Sequence, residues 1–107
     1  MSNSGNSIKN DPIREIAFGS ITANYAVLGS VFLRDGFRLW FTNDTNGDIY
    51  LSTDGTTNHM KIPAGVGRAA DDKTNDFYRK AGTQFYIKWV SAPAVPSGWF
   101  GLEVEWV

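Results

Sequence analysis

The chain reads as a small all-β protein, a β-sandwich or jelly-roll-like domain of about seven to eight short antiparallel strands behind a flexible N-terminal arm. Three observations lead there. Between Thr42 and Gly65, TNDTNGDIYLSTDGTTNHMKIPAG, strand-like runs alternate with turn signals every few residues, as in a β-meander presenting loops. Aromatic residues make up 14% of the 107 residues, a bias that suits pleated, half-buried surfaces better than helices. Several segments also alternate apolar and polar residues with the period of two that sends successive side chains to opposite faces of a sheet.

Residues 1 to 12, MSNSGNSIKNDP, are rich in Ser, Asn and Gly with almost nothing to bury, which predicts an arm able to order against a neighbour. Ile13 to Gly19 and Tyr25 to Leu33 are apolar enough for strands, joined by a Ser-Ile-Thr-Ala-Asn connector. Asp35-Gly36 is a turn, after which Phe37, Leu39 and Phe41 alternate with Arg38 and Trp40. Asn46-Gly47 is a further turn. Asp54-Gly55 predicts a hairpin with arms Ile49 to Thr53 and Asn58 to Ile62, because Gly tolerates the positive φ of tight hairpin turns. Pro63-Ala64-Gly65 closes that run, since Pro cannot donate into a ladder. Residues 66 to 76, VGRAADDKTND, are small and charged without sheet periodicity, and predict a long loop or a single helical turn. Beyond Lys80-Ala-Gly-Thr83, Phe85, Ile87 and Trp89 point one way and Gln84, Tyr86 and Lys88 the other. Ala92 to Gly98 is a loop. In the last strand, Trp99 to Val107, Leu102, Val104 and Trp106 share one face and Glu103 and Glu105 the other.

Composition narrows the function. A chain of this length forms one domain, residues 13 to 107, and buries about 65% of its unfolded surface without staples. There is no cysteine, which excludes a disulfide framework and a cysteine zinc site. Ten Lys and Arg against eleven Asp and Glu give a net charge of −1, without the basic excess that phosphate neutralisation requires, so nucleic acid is not an expected partner. The N-terminus lacks the apolar core of a secretory signal and no run approaches a membrane span. A soluble protein made in the cytosol, with no membrane partner, is the expectation.

The search for chemistry predicts no catalytic, cofactor or metal residue. Asp44, Asn46 and Asp48 imitate the first ligands of an EF-hand loop, but the sixth position is Ile49 instead of Gly and the twelfth is Gly55 instead of Glu. Asn and Asp satisfying their own backbone in turns explain the run better. His59, with Asp54 and several Ser nearby, lacks a Gly-x-Ser-x-Gly elbow, so a strand histidine is expected and not a triad. Glu103 and Glu105 share a strand face in a way that suggests a glycosidase pair, yet solvated residues account for them. Surface candidates remain: Trp40, Tyr50, Tyr86 and Trp99 as outward aromatics, for core packing, a protein interface or sugar stacking, and Arg38, Lys88 and Arg79 as surface charges able to pair with a partner's carboxylates.

The ordered set IAFGSITANY (16 to 25), TNDTNGDIYLSTDGTTNH (42 to 59), IPAG (62 to 65) and AGTQFYIK (81 to 88) resembles small virion structural proteins of tailed bacteriophages, over residues 13 to 107. The chain departs from that pattern in Val66 to Tyr78, where an apolar strand is expected and charged residues stand. The resemblance implies a non-enzymatic, β-rich particle component located in the virion and assembled in the host cytoplasm. It implies a capsid decoration or cement protein that binds the major capsid protein or other virion proteins, homo-oligomeric on the particle. A ring-forming neck or tail component is the alternative within that class. A carbohydrate-binding module using Trp40, Trp99 or Tyr86 is a third possibility, read from the aromatics themselves.

Overall fold

The computed structural model describes residues 9–10, 12–33, 36–71 and 81–106, with only the backbone at 9, 36, 37, 68–71 and 106. Among these residues lie β1 (Lys9–Asn10), β2 (Arg14–Ala17), β3 (Ala26–Val27), β4 (Gly36–Thr45), β5 (Ile49–Ser52), β6 (Met60–Ile62), β7 (Gly67–Asp71), β8 (Tyr86–Trp89) and β9 (Gly98–Trp106). A single 3-10 turn, Phe18–Ser20, follows β2. Every strand pairing is antiparallel. One sheet runs β9, β4, β7, with β2 and β1 succeeding each other along the free edge of β9; the other runs β3, β8, β5, β6. From β2 to β9 the chain changes sheet at every connection except the β5–β6 hairpin.

The two sheets close over one apolar interior because the period of two sends alternate residues inward. Leu39, Phe41, Phe100, Leu102 and Val104 come from one sheet and Ile49, Leu51, Ile62 and Ile87 from the other, all fully buried. Phe18, Ile21, Leu28, Phe32 and Phe85 close the ends from the connections. The Phe85 ring meets Phe41 edge-on at 5.5 Å and Phe32 at 5.8 Å. Burying each such side chain stabilises the fold by about 1.5–3 kcal/mol.

Expected and observed elements agree along β4, β5, β6, β8 and β9, and at the Asp54-Gly55 hairpin, where Gly55 has φ 83. Four segments differ. Thr42 to Gly65 is not a meander: β4 already pairs β7 and β9, so the chain after Thr45 crosses to the other sheet and returns after Ile62. Buried Asn43 holds both crossings, donating from its amide to the Gly47 and Ile62 carbonyls and accepting from the Thr45 N–H. Tyr25 to Leu33 is a strand only at Ala26–Val27; its remainder makes isolated bonds, Leu28 N–H to the Phe85 carbonyl and Phe32 N–H to the Thr83 carbonyl. Gly67–Asp71, expected in a loop, is a strand, because the open edge of β4 supplies a full ladder from Thr42↔Gly67 to Arg38↔Asp71. Lys9–Asn10, at the end of the expected arm, pairs Glu105 and Trp106 of β9. The rest of residues 66–79, including Arg79, and residues 1–8 and 11 of the arm lie outside the described residues.

Candidate functional site: the two outer faces of the sandwich

Six of the seven surface candidates lie among the described residues, and they divide between opposite faces. On the outer face of the first sheet, parity along β4 sends Arg38 and Trp40 outward between the buried Leu39 and Phe41. In β9 it does the same for Glu103 and Glu105. Register places Trp40 opposite Glu103 and Arg38 opposite Glu105. The Arg38 Nη1 donates to Glu105 Oε1 at 2.9 Å, while Glu103 engages no partner among the described residues. These four side chains line a cleft of about 320 Å³. Trp99 is on the same face, 56% exposed, but it pairs Asp44, four residues along β9 from Glu103 and so about 13 Å from the cleft.

On the outer face of the second sheet stand Tyr50, Tyr86 and Lys88. The Lys88 ammonium lies 4.7 Å from the centre of the Tyr25 ring and 5.7 Å from that of Tyr50. Tyr25 donates its hydroxyl to Asn58 Oδ1 at 2.7 Å, and burial, then the nearby Asp54 and Tyr50, push its phenol above the usual value. The Tyr86 ring packs over Gly55. Tyr25 is a member of this group that the sequence did not point out, because it precedes a two-residue strand with no alternation to reveal its direction.

The remaining motifs are absorbed by the loops. Asn46 donates to the Val95 carbonyl and accepts from the Ser97 N–H, latching the 92–97 loop. Asp48 accepts from the Ala64 N–H, and Asp44 is exposed on the other face, so the three calcium-like residues point to separate places. In the hairpin loop the Asp54 carboxylate accepts from the Thr57 and Thr56 N–H groups, the Thr57 hydroxyl and the Ser52 hydroxyl. Those bonds, the Thr57 N–H first, hold its carboxyl far below the usual carboxylate range. His59 Nδ1 accepts from the Thr53 N–H, and its Nε2 lies 4.0 Å from Asp54. Ser52 donates to Asp54 and not to His59, so this cluster ties a turn together and presents no activated nucleophile.

Among the described residues, no three His, Cys, Asp or Glu gather to hold a metal ion, and no helix is long and apolar enough to cross a membrane. The described surface presents an exposed indole beside a carboxylate on one side and a tyrosine–lysine group on the other. Compared with known protein families, curated proteins and solved structures, the chain matches none.

Proposed function

We propose that this protein is a non-enzymatic structural component of a bacteriophage particle, a decoration or cement protein that sits on the coat lattice and ties neighbouring subunits together. The observation that carries the reading is the strand order. We read two sheets, β9-β4-β7 with β1 and β2 on the free edge of β9 and β3-β8-β5-β6, between which the chain alternates around one hairpin, as jelly-roll-like, an architecture that recurs in viral capsid and lectin domains. The argument is one of architectural analogy, joined to the resemblance of the ordered turn and strand motifs to small virion proteins.

In this reading the tyrosine–lysine face docks on the coat. Tyr50, Tyr86 and Lys88 are held in place before any partner arrives, so little side-chain entropy is lost on docking, and Tyr is enriched among residues that dominate interface energy. A protein that binds the closed shell better than free subunits shifts assembly toward the shell by mass action. Contacts repeated by symmetry then stabilise the particle without any one of them being strong.

The test is the copy number relative to the major coat protein, by quantitative peptide mass spectrometry on purified particles. A ratio near one copy per coat subunit, or per symmetric group of subunits, is the expected result. A handful of copies per particle moves the protein to a ring in the neck or tail, and absence from particles overturns the virion reading.

A further inference from the structure

We propose that the cleft at Trp40 is a saccharide subsite that takes a neutral hexopyranose, with the apolar face of the sugar on the indole and its hydroxyls bonded by Glu103, Glu105 and Arg38. This does not rest on the particle reading. Its first support is the placement of the indole. A Cβ on Gly67 would stand 3.2 Å from Trp40 Cζ2 and 3.6 Å from both Cε2 and Nε1, so the ring lies along the sheet over a residue that has no side chain. One side of the ring is covered, and 46% of the residue remains open to water. An aromatic plate parallel to a sheet is what the C–H face of a sugar ring needs.

The second support is the mixture of groups around the plate. Hydroxyls both donate and accept, and the cleft supplies acceptors in Glu103 and Glu105 and a donor in Arg38. Glu103, directly opposite Trp40 in register, has its acceptor capacity unspent among the described residues. Charge then selects among ligands. With Arg38 paired to Glu105, Glu103 leaves the cleft one net negative charge, so an acidic sugar meets repulsion and a neutral polyol does not. At about 320 Å³ the cleft is at the lower end of ligand-site volumes, the size for one or two sugar rings.

The full chain is tested on an array of neutral and charged glycans, and the best neutral binder is titrated while the tryptophan indole N–H signals are followed by NMR. Trp40 is assigned from the signal lost in Trp40→Tyr. The expected result is that a neutral glycan binds and moves the Trp40 signal but not that of Trp89. Trp40→Ala weakens binding by up to about tenfold, the scale of a lost aromatic contact. Trp40→Tyr, which keeps a plate, retains most of the affinity, Glu103→Gln loses part of it, and Val95→Ser on the distant loop loses none. All three side chains are on the surface, so unchanged melting separates loss of binding from loss of fold. Binding of acidic glycans or basic peptides alone, no glycan binding, or affinity that survives Trp40→Ala each overturns the proposal.

Discussion

On one outer face, Lys88 stands between the Tyr25 and Tyr50 rings, Tyr25 bonds Asn58, and Tyr86 covers Gly55. On the other, Trp40 is 46% exposed, and Glu103 across from it has no partner among the described residues. Both faces are aromatic and charged, and both come from the same alternation, yet on the first the cation rests against two rings, while on the second Arg38 pairs Glu105 and the Glu103 side chain is left without a partner among the described residues. Aromatic content alone therefore does not distinguish a preorganised docking plate from a ligand subsite. The distinguishing quantity is how much interaction capacity remains after folding, and it can be tested by removing side chains from each face and from what joins them.

The largest effects come from what holds both faces. Phe41 is fully buried, and its ring meets Phe85 across the interior. Phe41→Ala is expected to cost about 3–5 kcal/mol, seen as a fall in Tm with parallel loss of the Tyr and Trp near-ultraviolet circular dichroism. Loss of only one signal would show that the faces are not mechanically joined. Next is Gly98, where β9 begins opposite Thr45. Its φ is 87, and a Cβ there would stand 1.9 Å from the Asp44 carbonyl oxygen. Main chain blocks that space, so Gly98→Ala costs at least about 2 kcal/mol, read in urea unfolding.

Much of this frame was legible in the sequence and the division between the faces was not, for physical reasons. Parity announced that Leu102 and Val104 turn inward and Glu103 outward, and that Trp40 opposes Leu39 and Phe41. Asp54-Gly55 announced the hairpin. Parity says which side of its own sheet a residue takes, however, and not which sheet its strand joins. Arg38 and Trp40 could not be separated from Tyr50, Tyr86 and Lys88 until the long-range pairings of β9 with β2 and β4 were known. Strand β7 was hidden for a related reason. Gly67–Asp71 has little intrinsic strand propensity, and the open edge of β4 imposes the extended form on it.

Smaller substitutions sharpen the contrast. Lys88→Met keeps the stem and removes the ammonium from two rings, an expected loss of about 0.5–1 kcal/mol. On the opposite face, Arg38 and Glu105 form an ion pair about a third exposed, and Glu105→Gln is expected to cost about 0.5 kcal/mol or less. Glu103→Gln, which breaks no contact, should leave the urea midpoint unchanged. The order Lys88, then Glu105, then Glu103 is the measurable content of setting the cation–ring contacts of one face against the exposed ion pair and the unpartnered carboxylate of the other. A reversed order would remove the distinction.

The smallest effect separates the faces by pH. Asp54 closes the hairpin loop at the rim of the tyrosine–lysine face, near Tyr25 and 4.0 Å from His59. In the folded chain the Thr57 and Thr56 N–H groups hold its carboxyl far below the usual carboxylate range, whereas in the unfolded chain it titrates near about pH 4. A depressed folded value means that its stabilising contribution is present above the unfolded value and is lost as pH falls below it. Wild type should therefore lose Tm on acidification below about pH 4 more steeply than Asp54→Asn, whose amide does not titrate there. At neutral pH the variant should melt lower than wild type, and the two curves should draw together toward acid; parallel curves would show that Asp54 has no part in the acid limb. Because the loop borders only one face, acid should disturb the tyrosine signals before the Trp40 indole resonance, and the opposite order would place the weak acid-sensitive point on the other sheet.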